Sequence, residues 1–111
     1  MEFQVRKATK NDMPSVLKLI NELAVYEREP DAVEVTVADL ERDGFGDQPL
    51  FNCFVAQAED KIVGMALFYN RYSTWKGKTI HLEDLIVNED YRGKGIGMQL
   101  YKKVMQFALE E

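Results

Sequence analysis

Apolar residues recur at helical spacing over Val16, Leu19, Ile20, Leu23 and Ala24, which gathers them into one stripe facing a core. The start of that helix is written just upstream. Thr9-Lys10-Asn11-Asp12 carries the Thr-x-x-Asp spacing of a capping box, and Pro14, tolerated in a first turn but costly deeper, favours Asp12 as the N-cap. The pattern therefore predicts a short strand over 3–8 and a first helix over 12–25. Residues 26–35 are polar and acidic, with Glu27, Glu29, Asp31 and Glu34 against Arg28, and Pro30 breaks them into a mobile loop. A shorter helix is expected over 37–43, closed by Asp43-Gly44-Phe45-Gly46, where glycines would supply the positive φ angles that end a helix.

Beyond Pro49 the period changes. Runs over 51–58 and 62–70, rich in aromatic and small apolar residues, flank the turn Glu59-Asp60-Lys61 and predict a β-hairpin. A third run, 78–87, follows the turn sequence Ser73-Thr74-Trp75-Lys76-Gly77. Glycines 93, 95 and 97 then mark the start of a last helix over 95–110, in which Ile96, Leu100, Val104 and Phe107 share a face. The expectation is a mixed α/β (α+β) domain with a largely antiparallel four-stranded sheet. No repeat, low-complexity tract or linker divides the chain, so residues 1–111 read as one domain.

Composition narrows the class. At 111 residues a fold buries roughly 60–68% of its unfolded surface, enough for a core without metals or disulfides. Hydrophobic residues make up 46% and charged residues 30%, as in ordinary soluble proteins. Fourteen basic against nineteen acidic residues leave a net charge of −5, which argues against nucleic acid as the main partner. The lone Cys53 forms no internal disulfide, and no Cys/His cluster offers a metal site, so a reducing, cytoplasmic setting without metal is expected. Cys53 itself reads as an inert buried thiol and His81, the one histidine, as a packing residue of its strand. No run approaches the roughly 20 apolar residues of a bilayer span, and Met1-Glu2-Phe3-Gln4 lacks the basic and apolar regions of an export signal.

The chemistry concentrates in residues 82–97, Leu-Glu-Asp-Leu-Ile-Val-Asn-Glu-Asp-Tyr-Arg-Gly-Lys-Gly-Ile-Gly: a strand, a turn, a glycine-rich loop and a helix start. Glycines let a backbone approach a ligand closely, and a helix N-terminus presents unpaired amides with partial positive charge, so a phosphate fits there. Position 98 is Met, so Gly-x-Gly-x-x-Gly fails from Gly93, and no Gly-Lys-Ser/Thr ending occurs. What remains, Arg92-x-x-Gly95-x-Gly97, resembles the pyrophosphate-binding signature of the GCN5-related N-acetyltransferase (GNAT) superfamily. The order of strand, two helices, hairpin, strand, glycine loop and helix is also similar. Residues 43–49, Asp-Gly-Phe-Gly-Asp-Gln-Pro, and 72–84, Tyr-Ser-Thr-Trp-Lys-Gly-Lys-Thr-Ile-His-Leu-Glu-Asp, look like the diamine acetyltransferase family, with Ser-Thr-Trp-Lys-Gly closer to its thialysine branch.

The resemblance implies a GNAT fold and acetyl transfer from acetyl-CoA to a primary amine of a small polyamine-like or lysine-like acceptor. It implies that the amides of Arg92, Gly93, Lys94, Gly95, Ile96 and Gly97 hold the pyrophosphate, and that the backbone of Leu85, Ile86 and Val87 receives the pantetheine arm. Glu83 matches the position that takes the amine's proton. Asp84 and Trp75 match positions near the amine, and Tyr26 and Glu27 the acceptor-side loop. Trp75 also reads as a hydrophobic plug over the sheet. The superfamily domain continues past the last helix with a further strand, helix and strands, including the tyrosine that serves as general acid; neither Tyr91 nor Tyr101 matches it. The resemblance thus implies an N-terminal portion of the fold, with the strand over 78–87 left as an open edge inviting a homodimer. An acyl-CoA-binding or dimerisation module, and a protein N-acetyltransferase, are the competing readings.

Overall fold

The computed structural model describes residues 2–110; Met1, part of the start read for an export signal, and Glu111 lie outside them. Four strands, β1 (Gln4–Lys7), β2 (Asn52–Ala58), β3 (Lys61–Ser73) and β4 (Gly77–Val87), form one sheet in the order β1-β2-β3-β4, every pair antiparallel. Three helices cover it: α1 (Met13–Tyr26), α2 (Val37–Phe45) and α3 (Ile96–Glu110). The expected α/β architecture is present.

Helices pack on both faces of the sheet. Met13, Val16 and Leu19 of α1 and Leu40 of α2 meet Cys53, Val55, Met65, Leu67 and Ile86 on one face. Ile96, Leu100 and Val104 of α3 meet Phe54, Ala56, Ala66 and Phe68 on the other. Two-sided burial explains why β2 and β3 read as near-continuous apolar runs instead of alternating ones. On the α3 side Phe54, Phe68 and Phe107 form an aromatic cluster with ring centroids 5.2 to 6.2 Å apart.

The boundaries differ from the sequence reading in three instructive places. The Thr9–Asp12 capping box is present but closes a 3-10 turn at Lys10–Asp12, and Asp12, at the expected N-cap position of α1, sits in helical backbone conformation with no side-chain cap on that helix. Its carboxylate reaches back to accept from the Thr9 amide (2.7 Å) and hydroxyl (3.0 Å) and from the two terminal guanidinium nitrogens of Arg6 (2.8 and 3.0 Å). Only 8% exposed, Asp12 is held below the ordinary carboxylate range chiefly by Arg6. Second, α2 runs through Gly44 to Phe45, and neither Gly44 nor Gly46 adopts a positive φ. Gly44 is there for closeness: a Cβ would lie 2.3 Å from the Phe51 ring. The Leu50 amide, bonded to the Asp43 carbonyl at 2.7 Å, satisfies an orphan group of the helix end.

Third, the β3–β4 hairpin is longer than the run over 62–70 predicts. Pairing continues through Arg71↔Thr79 and Tyr72↔Lys78 to Ser73↔Gly77, so a two-stranded arm projects beyond β2, whose partners on β3 end at Phe68. The Ser73 hydroxyl accepts from the Trp75 and Lys76 amides at 3.2 Å each, and Gly77 takes φ +81°, which closes the turn. Trp75, at the tip, is 94% exposed and plugs nothing.

Candidate active site

β4, the loop after it and the end of α1 bring most of the expected residues to one side of the molecule. Opposite Leu67 and Phe68 the β3–β4 register slips, with Leu67 facing Asp84 and Phe68 facing Leu82, so Glu83 is the extra residue of a β-bulge. A bulge re-aims side chains. Here it lets two consecutive carboxylates share the α1 face: Asp84 pairs with Leu67 of that core, and the Glu83 carboxylate lies 3.6 Å from His81 Nε2 on the same face. His81 packs against Tyr69, ring centroids 5.2 Å apart, as the packing reading expects; its contact with Glu83 is additional. Burial, then the charges of Glu83 and Glu27, raise the Asp84 carboxyl above its usual range. The charge of Glu27 at the end of α1 thus acts on the carboxylate pair of β4.

The end of α1 has a specific geometry. The Arg28 amide bonds the Val25 carbonyl (3.0 Å) and the Glu29 amide the Ala24 carbonyl (2.8 Å), with Arg28 at φ +63°, a Schellman closure built on an arginine. It turns the chain sharply, leaving Tyr26 and Glu27 exposed at the rim.

A cleft of about 860 Å³ separates α1 from β4 and the loop after it, lined by Leu17, Glu22, Tyr26, Ile86, Asn88 and Arg92 among others. The Asn88 amide bonds the Val63 carbonyl on β3, so by the alternation of an antiparallel strand Ile86 also turns its backbone groups toward β3, while Leu85 and Val87 turn theirs outward. In keeping with this, the Val87 carbonyl accepts from Arg92 Nε at 3.1 Å. Of the three residues expected to offer backbone to a ligand, Leu85 and Val87 turn theirs to the outer edge, the Val87 carbonyl being held by Arg92, and Ile86 contributes its side chain to the cleft.

Gly93 and Gly95 take φ +78° and +84°, and a Cβ on either would find no protein atom within 4 Å, so the loop backbone faces open space. The first bond into α3 outside its regular ladder runs from the Gln99 amide to the Gly95 carbonyl (3.1 Å), and the amides before it are the orphan donors of a helix start. Such a cradle suits a pyrophosphate. The loop is pinned on three sides: Asn88 bonds Glu22 of α1, Lys61 lies 5.4 Å over the Tyr91 ring, and the Arg92 guanidinium lies 5.5 Å over the Tyr26 ring. Trp75 stands apart, at the tip of the projecting arm. Sequence reasoning missed Asn88 and Glu22, because a contact 66 residues apart leaves no local pattern.

Among the described residues no group of three His, Cys, Asp or Glu side chains stands close enough to hold a metal ion, and no helix is long and apolar enough to cross a membrane. Cys53 is buried and its thiol is pushed up to about 12, foremost by burial, which makes it unreactive.

Comparison with known proteins agrees with this geometry. Residues 13–111 match the model of the acetyltransferase (GNAT) family. The chain is 46% identical over 114 residues to the human spermidine/spermine N(1)-acetyltransferase-like protein 1, covering 96% of this chain and 16% of that protein. It is 42% identical over 115 residues to thialysine N-epsilon-acetyltransferase of Bos taurus, covering 96% of this chain and 68% of that one. Among solved structures, an aminoglycoside acetyltransferase from a soil metagenomic sample superposes with a TM-score of 0.77 at 25% identity, over 97% of this chain and 70% of that chain. With the fold, the glycine loop and these matches in agreement, the chain belongs to the GNAT family of acetyltransferases.

Proposed function

We propose that this chain carries the donor site and much of the acceptor site for acetyl transfer from acetyl-CoA to a primary amine of a small polyamine-like or lysine-like molecule. The observation that carries the reading is the junction of two features along the β4 edge of the sheet: an open glycine-loop cradle at the start of α3, and the consecutive carboxylates Glu83 and Asp84 of the bulge, with the charge of Glu27 acting on Asp84. Acetyl-CoA supplies an acetyl group on a thioester whose carbonyl is open to attack by a neutral amine. The amides of residues 92–97 bind the pyrophosphate, and the outward backbone of Leu85 and Val87 takes the donor arm as an extra strand. Asp84 and Glu27 attract the cationic amine, Tyr26 borders it, and Glu83, the bulge residue beside them, accepts its proton directly or through water. Trp75 lines a longer acceptor only if the hairpin arm of a second copy comes near the site.

Relatives named for spermidine/spermine and for thialysine match at similar identity, so an amine screen must include both kinds of acceptor. We further propose a homodimer through the outer edge of β4 and a cytoplasmic setting, in which the unpaired thiol of Cys53 stays reduced. The test is calorimetric titration with acetyl-CoA followed by turnover on diamines and thialysine. Glu83→Gln is expected to lower kcat/KM about 100-fold near neutral pH with donor affinity unchanged, the signature of a lost general base. An unchanged rate removes Glu83 from that role.

A further inference from the structure

We infer that Glu22, on α1, is a positioning residue for the donor loop and acts through Asn88; this rests on the donor reading above. Asn88 is the first residue after β4, where the chain turns toward the glycines, and every polar group it owns is engaged. Its amide bonds the Val63 carbonyl (2.8 Å), its carbonyl accepts from the Tyr91 amide (2.9 Å), and its Oδ1 accepts from the Asp90 amide (3.0 Å). That leaves the side-chain NH2, which donates to both Glu22 oxygens at 3.3 and 3.2 Å.

An asparagine amide rotates as a unit about one bond, so fixing the nitrogen fixes the oxygen. Glu22 therefore selects the orientation in which Oδ1 holds the Asp90 amide, and with it the 3-10 turn Glu89–Tyr91 that aims Arg92 and the glycines. Both partners are half-buried and stand on opposite walls of the same cleft, so the bond also sets the spacing between α1 and the loop. Neither residue hydrogen-bonds to residues 93–97, and the effect is indirect. Charge strengthens the contact, since a carboxylate accepts more strongly than a neutral oxygen. A glutamine at 22 still accepts through its carbonyl oxygen, and an alanine does not.

The test compares Glu22→Ala, Glu22→Gln and the unaltered protein in three measurements. Glu22→Ala is expected to weaken acetyl-CoA binding about 5- to 10-fold, as loss of one charge-assisted bond implies, and to raise KM for the donor far more than it lowers kcat. Without any ligand, hydrogen exchange at the Asp90 and Tyr91 amides should quicken in Glu22→Ala while the β2 and β3 amides hold their protection. Glu22→Gln should recover most of both losses. Unchanged donor affinity in a folded Glu22→Ala, or a glutamine no better than alanine, overturns the inference while leaving the donor site standing. Failure of the unaltered protein to bind acetyl-CoA removes the donor reading and this inference together.

Discussion

Asp84 and Asp12 are both carboxylates removed from bulk water, and their surroundings push them in opposite directions. Asp12 is matched by Arg6 and Thr9, so its charged form is favoured; its contribution to stability is present above the unfolded pKa of about 4 and is lost as pH falls through the lowered folded value. Asp84 has no such partner: burial and two neighbouring carboxylates disfavour its charge. The folded chain holds the Asp84 proton more tightly than the unfolded chain does, so ionised Asp84 weakens the fold at neutral pH. That penalty vanishes once pH drops below the unfolded value. Asp84→Asn should accordingly raise Tm at pH 7 by a few degrees, with the gain shrinking toward zero near pH 4, as thermal melts across that range would reveal. The same substitution should raise KM for a cationic amine, a trade of stability against function found at sites that must hold an unfavourable charge. An equal gain at both pH values would assign the effect to packing instead of ionisation.

At the scale of elements, α2 shows how a local rule yields to a neighbour. Helix propensity alone predicts that Gly44→Ala stabilises the chain by about 1 kcal/mol. The Phe51 ring occupies the place of that Cβ and is itself set edge-on against Phe45 at 6.5 Å, so the ring must move and the pair must repack. Gly44→Ala is expected to destabilise by about 1–3 kcal/mol in denaturant melts; a gain would show that Phe51 swings aside freely. The glycines at 44 and 46 were legible as punctuation, yet their purpose was not, because closeness to a residue on the next element has no signature in spacing. The same holds for the start of α1, where the Thr9 and Asp12 spacing was readable but the claim of Arg6, a strand residue, on the carboxylate was not. The apolar stripes of α1 and α3 and the cores of β2 and β3 were plain in the sequence, since burial drives them. The hairpin arm beyond Asn70 was hidden by polar Arg71, whose pairing is propagated from the Ser73 turn. The bulge at Glu83 was equally hidden, because Glu-Asp in a strand carries no periodicity.

The whole molecule joins these pieces asymmetrically. α1, α2 and α3 cover the middle of the sheet, β1 forms one edge and β4 the other, and the β3–β4 arm extends past both helical layers with Tyr72 and Trp75 exposed at its end. The two stretches of β4 have different tasks under the reading proposed above: Leu85 and Val87, beside the glycine loop, are reserved for the donor, and the arm over residues 77–82 is left to pair with a second copy. An edge with unpaired backbone groups is a ready template for such pairing. Trp75 reports on it directly, because it is the one tryptophan in the sequence and is 94% exposed in the single chain. If the arms pair, Trp75 emission should shift to shorter wavelength as protein concentration rises, in step with a doubling of mass by light scattering. Acetyl-CoA should leave that midpoint unmoved, since it occupies the other stretch of the edge. A midpoint that rises with donor would mean that donor and second copy compete for Leu85 and Val87, and the division of β4 between them would be wrong. A chain that stays monomeric at every concentration would remove the dimer altogether and leave Trp75 without a role in the acceptor site.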